Sequence, residues 1–203
     1  MNSINTIKIA VFALALILFA GPDSVNYAKR DSLIENDLED TPFYIQKPDP
    51  AVLLDAWNQV NVRIEGERLS REERRRTQYI IIPLLRDHFL DTYGREAFTD
   101  SELAFPIRGG HLSDVGGKNG SGYRSRHHAH DIFVKDINYD CLNDATGEPY
   151  YALAMRPAVV LSVHEGWQPT SELTGGNYVW LYNPAEGIFL YYAHLDSIIV
   201  RPG

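Results

Sequence analysis

Cysteine is almost absent: Cys141 stands alone in 203 residues. A single thiol excludes an intrachain disulfide framework and any cysteine-rich zinc site, and no cysteine follows the N-terminal apolar run as a lipid-anchored protein would require. Long apolar runs are scarce too. The one continuous stretch, Ile9 to Gly21 (IAVFALALILFAG) behind Lys8, has the length of a secretory signal and is short for an ordinary membrane span. Excess positive charge is missing as well. The net charge is -8, and the densest basic cluster, Arg71 to Arg76, is interrupted by Glu72 and Glu73. A solvated helix face accounts for that cluster, and nothing in the composition calls for nucleic acid. Internal repeats are lacking.

What is present divides the chain into four parts. Residues 1–21 read as a signal peptide; no small-x-small triplet follows at the right distance, so an uncleaved N-terminal anchor is the alternative. Either places the remainder outside the cytoplasm, in the periplasm, cell envelope or medium. Residues 22–50 form a polar linker with Glu35, Asp37, Glu39 and Asp40 close together and little to bury. Residues 51–100 carry apolar positions at helical spacing, first Val52, Leu53, Ala56, Val60 and Ile64, then Ile80, Ile81, Leu84, Leu85 and Phe89. Two helices follow from this, with a turn over 65–70. Ser70 and Glu73 have the form of a capping box that begins the second helix, and Pro83 kinks that helix or marks its true start. His88 on this helix is read as a surface or packing residue.

Residues 101–203 change character. Short apolar runs are separated by Gly, Asn and Pro. Ala158 to Val163 (AVVLSV) reads as a strand; Tyr178 to Tyr182 (YVWLY) and Ile188 to Ala193 (IFLYYA) flank the turn-rich Asn183 to Gly187 and predict an antiparallel hairpin. The expected fold class is mainly β, an antiparallel sheet with an N-terminal helical segment.

Chemistry concentrates in the histidines. Five of the seven lie between His111 and His164, three of them in Arg126-His127-His128-Ala129-His130-Asp131. Imidazole nitrogen and carboxylate oxygen are ligands that catalytic zinc accepts while keeping a position for water. In an extended strand, residues four apart face the same way, so His127 and Asp131 can converge on one metal past the small Ala129. Exposed histidines beside an acid, without metal, are the plainer alternative. Asp136-Ile137-Asn138-Tyr139-Asp140 with Asp144 begins like a calcium loop, but Cys141 stands where glycine is expected and Gly147 where an acid is expected. A polar turn built on Asx hydrogen bonds is the default there.

The series His127 to Ile132 (His-x-Ala-x-Asp-Ile), then Gly175-Gly176-Asn177-Tyr178-Val179, then Tyr192-Ala193-His194-Leu195, resembles the lysostaphin-type zinc endopeptidases, the LytM-like peptidases of family M23. Phe105-Pro106-Ile107-Arg108-Gly109-Gly110 is similar to that family's first strand, and the likeness spans about residues 105–203. It implies the family's duplicated antiparallel fold with a groove across one sheet, and His127 and Asp131 as Zn2+ ligands in that groove. It further implies His194 as the non-ligand catalytic histidine, zinc-bound water as nucleophile, and a bacterial peptidoglycan peptide cross-link as substrate. One departure accompanies the match. The family carries a His-x-His motif after Tyr-x-His-Leu, supplying the third ligand and another catalytic histidine, whereas this sequence stops at Arg201-Pro202-Gly203. His111 and His164 have no feature that favours them as replacements. The expectation is therefore a half-site, from an incompletely recorded secreted enzyme or, alternatively, a catalytically inactive relative that binds cell wall or regulates another hydrolase. A surface His/Asp site that stores or senses metal is a weaker third reading.

Overall fold

A computed structural model describes residues 8–12, 49–65, 69–99, 103–110, 130–134, 136–138, 140–171 and 175–203. In chain order the elements are β1 (Lys8–Phe12), α1 (Pro50–Glu65), α2 (Arg71–Arg76), a π-helical turn (Thr77–Ile81), α3 (Ile82–Tyr93), α4 (Glu96–Thr99), β2 (His130–Phe133), β3 (Val159–His164), β4 (Asn177–Asn183) and β5 (Ile188–Leu195). Strands β3, β4 and β5 form the contiguous antiparallel centre, and β1 and β2 extend it in the order β2-β1-β5-β4-β3. The expected hairpin is β4–β5, turning through Asn183 to Gly187 and held by Tyr182 opposite Phe189 and Asn183 opposite Ile188. The run 158–163 is β3.

The antiparallel sheet agrees with the sequence reading; the description "mainly β" does not. More described residues lie in helices than in strands, so the fold is mixed. The reason lies between β2 and β3. Gly147, Pro149 and Pro157 punctuate that stretch, and its ladders shrink to isolated bridges, Leu142 with Pro149 and Ile107 with Ala152. Proline cannot donate to a ladder, so the chain there runs as irregular cover over the sheet.

Strand alternation splits the core into two clusters. Tyr178, Trp180 and Tyr182 of β4, with Phe189, Tyr191 and Ala193 of β5, face Leu53 and Trp57 of α1 and Leu85 and Phe89 of α3. Val179, Leu181, Leu190 and Tyr192 face the other way, onto Ile107, Ile132 and Val134. Both faces are covered, which is why β4 and β5 read as unbroken apolar runs rather than alternating ones. Trp57 is the keystone of the helical layer: its ring stacks on Phe189 at 5.0 Å and meets Trp180 edge-on at 5.7 Å.

The helical segment follows its local signals. Ser70 caps α2, its hydroxyl accepting from the Glu73 N–H while the Glu73 carboxylate accepts from the Ser70 N–H. Pro83 marks a helix start, one of the two outcomes expected from the sequence. It sits at the start of α3, directly after the π-helical turn in which the Ile82 N–H reaches back to the Thr77 carbonyl. Widening the helix by one residue accommodates a residue that cannot donate in the usual pattern. Among the described residues, no helix is long and apolar enough to cross a membrane.

Candidate functional site at the β2 and β5 strand ends

Asp131 is a half-buried residue of β2. Ile132 beside it belongs to the cluster under Leu181, so alternation turns Asp131 to the opposite face, the one the helices occupy further along the sheet. The helical layer itself packs on β3, β4 and β5, and none of its described partners is a β2 residue. His127 lies outside the described residues, as does His111. The expected ligand pair is thus represented by Asp131 alone, and the described residues contain no group of three or more His, Cys, Asp or Glu placed to hold a metal ion.

His194 occupies the last turn of β5 in a conformation few non-glycine residues adopt, with φ of 57°. A register shift between Asn177 and Val179 lets two β5 residues oppose one on β4, a bulge that re-aims the strand end and leaves His194 exposed. Left-handed backbone at a histidine costs on the order of 1 kcal/mol and persists only where neighbours impose it.

Those neighbours are the Gly-Gly-Asn residues. The Gly175 carbonyl accepts from the His194 N–H at 2.8 Å. Gly176 turns the chain at φ of 67°, where a side chain would be strained. The Asn177 carboxamide donates to the Leu195 and Asp196 carbonyls, both at 3.0 Å, and accepts from the Trp167 N–H at 3.0 Å. Gly-Gly-Asn and Tyr-x-His-Leu are therefore one device, in which the first motif clamps the strand end bearing the histidine of the second. The clamping role of Asn177 was missed from sequence, although its place inside a motif was visible.

The register relates the two strand ends. Val11 is opposite His130 on one side and Tyr192 on the other, and β2 and β5 both run antiparallel to β1. Asp131 and His194 therefore lie one and two residues beyond the same row, across two strand spacings of roughly 5 Å each. Burial pushes the Tyr192 phenol up to about 12 even though the Met155 N–H donates to it at 3.0 Å, so this tyrosine stays neutral and cannot serve as a base near neutrality. Burial, with Asp196 beside it, likewise raises the Cys141 thiol above its ordinary value.

The acidic loop spends most of its oxygens on backbone, with one Asp140 oxygen accepting from the Asn138 carboxamide. Asp136, fully buried, accepts from the Asp140 and Cys141 N–H groups at 3.2 and 2.8 Å, Asp140 accepts from Leu142, and Asp144 from Ile137. These are the Asx-type bonds of a polar turn. His164 stacks on Tyr178 at 5.0 Å and His88 lies against Phe89, both as packing residues. A shallow depression of about 220 Å³ lined by Arg108, Asn143, Thr146 and Tyr151 contains none of the candidate ligand or catalytic residues. The Arg108 guanidinium there sits 4.6 Å above the Tyr151 ring.

Comparison supplies no relative. The chain matches no family model, no curated protein and no solved structure.

Proposed function

We propose that the chain carries the zinc half-site of a secreted metalloendopeptidase that hydrolyses peptide cross-links of bacterial peptidoglycan. The observation that carries this reading is the coupling of the motifs: the Gly175-Gly176-Asn177 clamp forces His194 into a strained, exposed conformation at the same end of the sheet as Asp131. Strain at a polar residue beside a bulge is the mark of a position kept for chemistry.

The donor set suits the metal: Asp131 offers a hard carboxylate oxygen and His127 an imidazole, and together they would hold Zn2+ with positions to spare. Bound there, zinc would polarise the scissile carbonyl and lower the pKa of water. The protein's own part falls to His194, whose exposed imidazole accepts a proton from attacking water or donates a hydrogen bond to the tetrahedral oxyanion. Tyr192, neutral and fully buried, fixes the strand beneath it.

Zinc stoichiometry and release of peptides from purified peptidoglycan test the assignment together. Full-length protein binds zinc, and Asp131→Ala or His127→Ala lowers metal affinity by tenfold or more, on the order of the loss expected when one ligand of a small set goes. His194→Ala retains zinc and loses hydrolysis by a factor on the order of 10² to 10⁴. Zinc binding undiminished in both ligand variants would refute the site.

A further inference from the structure

The position of β1 in the sheet is out of keeping with its place in the chain. β1 (Lys8–Phe12), at the start of the run read from sequence as a leader, lies between β2 and β5, and β2 and β5 do not pair with each other. Lys8, Ile9, Ala10 and Val11 stand opposite Phe133, Ile132, Asp131 and His130, while Val11 and Phe12 stand opposite Tyr192 and Tyr191. One residue, Val11, thus bridges both neighbours.

Two features suit a strand in this slot. Phe189, Leu190, Tyr191, Tyr192 and Ala193 of β5 are buried on both faces, the pattern of a central strand rather than an edge. In addition, β2 has β1 as its ladder partner, so an empty slot would expose the backbone edges of two strands at once. The segment that fills it suits the place: β-branched Ile9 and Val11 with Phe12, and no proline or glycine. It precedes α1 in sequence by residues 13–49, and its ladder is backbone pairing that an equivalent strand can replace.

We propose that residues 8–12 act as an intramolecular donor strand that completes the sheet between β2 and β5, and that detaching this leader opens a one-strand slot beside Asp131. Attached, the segment holds the β2 end and the β5 end at a fixed two-strand spacing. Detached, it leaves two facing edges ready for backbone pairing with an extended apolar chain. The inference rests on sheet topology and not on the zinc reading. Metal binding by the full-length chain tests one and amide exchange tests the other, so the two can fail separately.

Val11→Pro in the full-length chain is the decisive variant, because proline removes the N–H at the residue shared by both ladders. Hydrogen exchange of Asp131 to Phe133, and of β5 amides directed away from β4, accelerates by at least about tenfold, while the β3–β4 ladder keeps its protection. A synthetic peptide of residues 5–13 added to the variant restores the lost protection. Unchanged exchange in Val11→Pro would overturn the proposal. So would loss of protection throughout β3 and β4, which would make β1 an integral element rather than a detachable insert. Protection in the parent chain that rises with protein concentration would show the strand coming from a second copy, and would overturn its intramolecular assignment.

Discussion

His194 is the residue at which backbone geometry and chemistry meet. Its positive φ is imposed by the Gly175 carbonyl and the Asn177 carboxamide, so the strain is removable without disturbing the fold. His194→Gly relieves it and raises stability by about 1 kcal/mol, whereas His194→Ala keeps the strain and gains nothing. Urea unfolding of the two variants measures the difference. A second prediction concerns Ser70 and Glu73. The Ser70 hydrogen bonds, then the Arg63 charge, hold the Glu73 carboxyl below its ordinary value of 4.5. Its ionised form stabilises the folded state, so the contribution is present above about pH 4.5 and is lost as pH falls through the lower folded value. Ser70→Ala therefore flattens the acid limb of the stability–pH profile between pH 5 and 3, as thermal melts would record. At this scale the sequence was informative about identity and silent about geometry. His194 and Asp131 stood out by residue type and spacing, yet nothing in the letters announces a bulge or a left-handed φ at a histidine.

Elements were legible where local signals were strong. The capping box and the aromatic hairpin appear where spacing and turn residues put them, and the helical faces do so in part: Leu53, Ile81, Leu85 and Phe89 are buried, whereas Val52 and Ile80 are exposed. Pro83 was ambiguous because a proline in a helical pattern has several outcomes, and the one realised, a π-helical turn ahead of it, depends on packing of Thr77 and Ile81 in the core. The strand β1 was not legible at all. A run of apolar residues has no periodicity to distinguish a leader from a strand, and only pairing with β2 and β5 assigns it a place. The irregular cover from Val134 to Ala158 was legible as turns but not as the reason the fold is mixed.

At the scale of the molecule, the helical layer and the sheet are joined by a buried polar node as well as by Trp57. Asn61, 2% exposed, donates to the Ser162 hydroxyl at 2.9 Å and accepts from the Tyr178 hydroxyl at 3.1 Å, tying α1 to β3 and β4 at once. Asn61→Leu strands both hydroxyls in an apolar interface and costs about 1–3 kcal/mol in chemical denaturation. Adding Tyr178→Phe removes one of the orphans, so the double variant is less destabilised than the sum of the two single changes. Such non-local polar pairing cannot be read from composition: the partners are 101 and 117 positions apart.

That separation sets a schedule for synthesis. A chain made from its N-terminus at about 5–20 residues per second completes α1 on the order of ten seconds before Tyr178 exists to receive it. During that interval the Trp57 face has no sheet to lie on, and an isolated helix of this length is marginal in water. The helical layer is thus made first and settles last, and the nascent chain travels with its Trp57 and Phe89 face uncovered until the β4–β5 hairpin closes beneath it.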